Sequence, residues 1–91
     1  MVFLVLTRAG YEELFQLSGS APSPLWVNDG LLSEQELQDL RRGGVNVTNF
    51  TYRIDAYDTE DIENALATVR EHHPTDRIWI EAALLSRDTP I

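Results

Sequence analysis

The chain contains no cysteine and no lysine. Without cysteine there can be no disulfide, no thiolate zinc site and no cysteine nucleophile. A small domain that lacks such staples is expected in a reducing cytoplasm. Without lysine there is no Schiff-base amine and no phosphate-loop lysine. All 7 basic residues are arginine, set against 15 acidic ones, for a net charge of −8. A surface of that sign repels polyanions, so nucleic acid and anionic membranes are not expected partners. The charge reads instead as solubility, of the kind a GC-rich or salt-adapted bacterial genome produces. Long apolar runs are also missing. The opening run, Met1–Leu6, is too short for a membrane span, and neither a basic stretch nor a cleavage pattern flanks it. The chain has no G-x-G-x-x-G, no G-K-[ST] and no G-x-S-x-G. Its serines, at 18, 20, 23, 33 and 86, fall in turns, a cap and the tail, so no Ser-His-acid set assembles.

What remains is a regular alternation of apolar runs and amphipathic segments. At 91 residues with 43% apolar content, the chain forms one domain with its own core. Such a length buries only about 60–65% of the unfolded surface, so stability is thin. Val2–Leu6 reads as a buried strand. Tyr11, Leu14 and Phe15 at i, i+3, i+4 predict a helix over Gly10–Leu17. Pro22 and Pro24 end it, and Leu25–Asn28 is the second strand. The strongest start signal follows. Ser33 with Glu36 three residues on forms a capping box, and Leu32 with Leu37 forms the accompanying staple. Arg41 and Arg42 suit the negative helix end, and Gly43-Gly44 supplies the stop, giving a helix over Glu34–Arg42. Val45–Ile54 reads as a long third strand whose apolar parity changes near Thr48-Asn49, which predicts a bulge. Asp58 caps the third helix, with Asp61 at N3 and Tyr57 stapled onto Ile62. Its stripe is Ile62, Ala65, Leu66 and Val69, and His72-His73-Pro74 ends it. Arg77–Glu81 is the fourth strand.

The order βαβαβαβ implies a three-layer α/β domain over residues 1–82, with a four-stranded, mainly parallel sheet of truncated flavodoxin- or Rossmann-like form. Right-handed crossovers leave two strand orders: 2-1-3-4, preferred because the very apolar first strand belongs inside, and 3-2-1-4. In the preferred order the second and third helices share one face, and the short first helix alone cannot cover the other. Part of one face is therefore expected to stay open unless the tail, residues 83–91, or a second copy lies on it. Trp26, Trp79, Leu84 and Leu85 are the candidate interface residues.

In such a sheet ligands bind beyond the carboxyl ends of the strands. The candidates there are Thr7, Arg8, Asn28, Asp29 and Asp55. Thr7-Arg8-Ala9-Gly10 offers a hydroxyl, a guanidinium and a flexible glycine before a helix, which suits a phosphate or carboxylate. Asp29, Asp55 and Glu81 form a loose carboxylate ring of a kind that holds Mg²⁺. Against this, Asp29 reads as a turn former beside Gly30, and Asp55 as the lead-in to a cap. The layer order resembles that of response-regulator receiver domains, with Asp55 in the place of their phosphorylated aspartate. Thr7-Arg8 stands where they carry an acidic pair, however, and no lysine matches theirs, so the likeness is one of layers and implies no activity. His72 and His73 have no further ligand beside them and read as a helix end.

Two functions are compatible with these residues. One is a non-catalytic protein-interaction or regulatory module that self-associates as a homodimer or docks a protein partner, and needs no cofactor. The other is a small enzyme or binding domain that uses Arg8, Asp29 and Asp55 to hold an anionic or Mg-phosphate ligand.

Overall fold

A computed structural model describes residues 1–19 and 22–81 of the chain. The elements are β1 (Val2–Val5), α1 (Arg8–Ser18), β2 (Leu25–Val27), α2 (Glu34–Arg42), β3 (Val47–Asn49), α3 (Thr59–His72) and β4 (Ile78–Ile80). All strand pairs are parallel, and the order across the sheet is β3-β2-β1-β4. The domain is thus α/β with the second of the two anticipated orders, which corresponds to the first four strands of the Rossmann arrangement. The preferred order, 2-1-3-4, is not the one formed. β1 is interior in both orders, so its apolar content did not distinguish them. The distinguishing strand is β3. Its three residues are Val47, Thr48 and Asn49, and a strand with two polar members suits an edge. β2, by contrast, is buried along its whole length and takes the interior place.

The order also reassigns the helices. Tyr11 and Leu14 of α1 and Leu37 of α2 share one core with Val5, Leu25, Val27 and Val47. Ala65 and Val69 of α3 pack on the opposite face against Val2, Leu4, Trp26, Phe50 and Ile54. The pairing of helices by face is therefore α1 with α2, not α2 with α3. Right-handed crossovers explain this: the chain steps one way across the sheet from β1 to β3, then returns past β1 to β4, and the reversal switches faces. Val2, Leu4, Val5, Leu25 and Val27 are all 0% exposed. Each contributes roughly 1.5–3 kcal/mol by leaving water.

α2 has the expected bounds and capping box: Ser33 Oγ accepts from Glu36 N, and Glu36 Oε1 accepts from Ser33 N. Its end differs in detail, because Gly43 has an ordinary φ of −80° and the left-handed residue is Gly44, at +92°. α1 starts earlier than apolar spacing suggested, because Thr7 caps it by accepting from Gly10 N. Asp58 caps α3 through Glu60 N, while Asp61 accepts from Asp55 N, outside the helix.

β3 is the largest departure. It is three residues long, and no bulge is needed at Thr48-Asn49, because the strand ends there. Phe50 and Ile54 belong to the segment that follows and are buried against the α3 face. Their parity differed from that of Val45 and Val47 because they are not on the strand. The tail from residue 82, with Leu84 and Leu85, lies outside the described residues.

Candidate functional site

The carboxyl end of the sheet gathers every residue singled out for ligand binding, and most of them turn out to be bonded to the protein itself. Asn28 follows β2 directly and is 5% exposed. Its Nδ2 donates to Leu6 O at 3.0 Å and Ile54 O at 2.7 Å. Its Oδ1 accepts from Asp29 N at 2.9 Å and Ile54 N at 2.8 Å. All of the amide's hydrogen-bonding capacity is used. Asn28 ties the end of β1, its own turn and the segment after β3 together, so no donor or acceptor is left for a ligand.

Thr7 is equally committed. Its hydroxyl accepts from Gly10 N at 3.1 Å and donates to Glu81 Oε2 at 2.5 Å. Glu81 Oε1 accepts from Leu6 N at 2.8 Å and Thr7 N at 2.9 Å. The strand reversal of this sheet lies between β1 and β4, where ligands are expected, and the start of α1 offers free N–H groups there. The Glu81 carboxylate, from the end of β4, fills that position. Gly10 makes the approach possible, because a Cβ at that residue would lie 2.1 Å from Glu81 Oε1. The internal anion thus occupies the place a bound phosphate or carboxylate would take.

Arg8 points elsewhere. Its Nη1 is 2.7 Å from Glu36 Oε2, its Nε is 3.8 Å from Glu12, and its guanidinium lies 5.3 Å from the Tyr11 ring centre. The Ser33 backbone N–H, and then Arg8, hold the Glu36 carboxyl below its usual range. The hydrogen bond to Glu36 raises the Arg8 guanidinium further above its ordinary value. Burial is the main cause that pushes the Tyr11 phenol up. This cluster links the start of α1 to the start of α2.

Asp29 is the turn former anticipated. Leu31 N donates to Asn28 O across it, Gly30 is left-handed at φ +77°, and among the described residues the Asp29 carboxylate has a 3.5 Å contact from Asn49 Nδ2. Asp55 Oδ1 accepts from Tyr57 N at 2.9 Å, which places it in the lead-in to α3. Asp29, Asp55 and Glu81 do not converge, because Glu81 faces α1. Among the described residues no group of three or more histidine, aspartate and glutamate side chains is placed to hold a metal ion.

Two shallow hollows remain on this rim, of about 470 Å³ and 330 Å³. Both are lined by Leu6, Thr7, Asn28 and Arg53, with Asp55 and Asp61 in the larger and Arg8 and Asp29 in the smaller. Arg53 is exposed and makes no ion pair among the described residues. It is the rim's available cation, and the carboxylates around it oppose the anion it would attract. Sequence reasoning missed both the Gly10–Glu81 contact and Arg53. The first had no local signal, since its partners are separated by most of the chain. The second lies in a segment whose apolar alternation reads as strand.

The tryptophans differ. Trp26 is 5% exposed, with its ring 5.3 Å from those of Phe50 and His72, and Nε1 donates to His73 Nε2 at 3.3 Å. It belongs to the core beneath α3 and is withdrawn from the surface. Trp79 is half-buried beside Phe3, at 6.3 Å between ring centres, on the face that carries α1 and α2. Trp79 and Phe3 pack against the core that α1 and α2 form and stay only partly buried, with β4 at the edge of the sheet. Among the described residues no helix is long and apolar enough to cross a membrane. No family model matches the chain, and no match is found among curated proteins or solved structures.

Proposed function

We propose that this protein is a non-catalytic interaction or regulatory module that works by associating with a second copy of itself. The observation that carries the reading is an inequality between two surfaces. At the carboxyl rim, Thr7, Asn28 and Glu81 spend their polar atoms inside the domain. At the other candidate surface, the β4 edge, apolar side chains on both faces of the strand keep part of their surface in solvent. Ile78, Trp79, Ile80 and Phe3 are all only partly buried. Catalysis needs uncommitted groups at a cleft, and association needs uncommitted apolar area. The rim is poor in the former and the β4 edge is rich in the latter.

Sedimentation equilibrium over a concentration series tests the reading. The expected result is a concentration-dependent mass that rises to twice that of the single chain. A single-chain mass at every concentration overturns it.

A further inference from the structure

We infer that two copies of this chain pair through β4, strand against strand and antiparallel, about a two-fold axis that passes beside Trp79. The inference rests on the association reading above and supplies its geometry.

β4 is an edge with a usable ladder. On its inner side, Val2 N donates to Arg77 O at 2.7 Å and Glu81 N donates to Leu4 O at 3.1 Å. Alternate residues of a strand turn their peptide groups to opposite sides. Ile78 and Ile80 therefore direct N–H and C=O away from β1, where the described residues place no strand. Natural edges are commonly blunted by proline, charge or a bulge. Ile78-Trp79-Ile80 carries none of these, whereas the opposite edge has polar Thr48 and Asn49.

The strand is complementary to its own reversed copy in one register. With Trp79 on the axis, Ile78 lies opposite Ile80 of the second copy, and Ile80 opposite its Ile78. These are the residues with outward peptide groups, so they form the hydrogen-bonded pairs. Trp79 faces Trp79 of the second copy in the closer, non-hydrogen-bonded pair. Arg77 lies opposite Glu81 in both halves, so no like charges face each other at the ends, while the Glu81 carboxylate keeps its bonds to Leu6 N, Thr7 N and the Thr7 hydroxyl. Moving the axis to Ile78 sets Asp76 against Ile80, and moving it to Ile80 sets Glu81 against Trp79. Only the Trp79-centred register matches apolar with apolar along the whole strand. Such a contact closes on itself, as a two-fold interface must. It also continues the Phe3–Trp79 contact into a row of four aromatic rings across the joined sheet. The net charge of −8 per copy opposes the pairing. Added salt is therefore expected to strengthen it.

The absence of cysteine makes a clean test available. Opposed residues of a non-hydrogen-bonded antiparallel pair have Cα atoms about 4.5 Å apart, within the span of a disulfide. Under mild oxidation Trp79→Cys is expected to form a covalent dimer, while Ala67→Cys, exposed on α3, stays single. Two further measurements do not depend on tolerance of that substitution. In the unaltered protein, amide exchange at Ile78 and Ile80 should slow as concentration rises. Ile80→Pro removes an outward N–H without touching the β1 ladder, and should abolish the dimer while leaving the circular dichroism unchanged. A dimer in which Trp79→Cys fails to cross-link and the Ile78 and Ile80 amides exchange freely overturns the β4 pairing and leaves the association reading standing. A single-chain mass at all concentrations overturns both. If in that monomer the two amides are nonetheless protected, the chain's own remaining residues are the occupant of the edge.

Discussion

The two sides of the sheet are held at their carboxyl ends by different chemistry. On the β3 side the clasp is Asn28, a neutral amide buried to 5% exposure with four hydrogen bonds. On the β4 side it is Glu81, a half-buried carboxylate with three. An amide both donates and accepts, so it can meet the carbonyls of Leu6 and Ile54 and the N–H groups of Asp29 and Ile54 at once. A carboxylate only accepts, so it belongs where donors alone converge, at the start of a helix. Full burial is affordable for the neutral group, whereas the charged one keeps partial access to water. The type of polar residue at each end is thus set by which backbone groups it must satisfy.

Breaking the neutral clasp should have the largest effect. Asn28→Leu leaves the carbonyls of Leu6 and Ile54 and the N–H of Ile54 without their buried partner. At roughly 1–3 kcal/mol for each unsatisfied group, a loss of about 3–5 kcal/mol is expected in urea unfolding. A loss below about 1 kcal/mol would show that water substitutes for the amide and that Asn28 does not brace the β3 side.

The charged clasp should be weaker and sterically coupled. Gly10→Ala forces Glu81 off its donors, with an expected cost of about 1–3 kcal/mol, as for overpacking elsewhere. Glu81→Ala alone should cost a similar amount. The double variant should cost clearly less than the sum, because removing the carboxylate removes the clash. Additive values would mean that the two residues act separately.

Beneath α3, Trp26→Phe keeps most of the ring packing and removes the donor to His73. The expected loss is about 1 kcal/mol, the net worth of a single hydrogen bond. Near-UV circular dichroism and thermal melting would report it, and an unchanged melting temperature would assign Trp26 to packing alone.

The smallest effect concerns Glu36, whose carboxyl is held below its ordinary value by Ser33 N–H and then Arg8. A depressed carboxyl stabilises the fold above its unfolded pKa, and that contribution is lost as pH falls through the folded value. Stability should therefore drop on the acid side of the ordinary glutamate range. Glu36→Gln should flatten that limb slightly while leaving neutral-pH stability nearly unchanged, since the site is solvent-exposed. An equally steep limb in the variant would assign the acid loss to other carboxyls.

The comparison also shows which parts were legible. α2 could be read to the residue because its signals are local: Ser33 and Glu36 are three residues apart, and Arg41, Arg42 and Gly43 mark the end. The stripe of α3 was legible for the same reason. β3 was over-read because Phe50 and Ile54 are apolar and buried without being on the strand, and burial leaves the same mark on a loop residue as on a strand residue. At the rim, residue positions were foreseen and roles were not. Thr7, Asn28 and Asp29 do sit at the strand ends, yet whether a polar atom is free depends on neighbours far away in sequence. Glu81 reaches Thr7 across 74 positions.

The limits of α2, the stripe of α3 and the parallel α/β class were thus set by the residues themselves, through interactions that span one turn or one strand. Strand order, the faces taken by the helices and the closing of the α1 start by Glu81 were settled only in the folded sheet. Two orders obey the same crossover rule, and the polar β3 at an edge together with long-range contacts, such as Asn28 reaching both Leu6 and Ile54, favours β2 between β1 and β3.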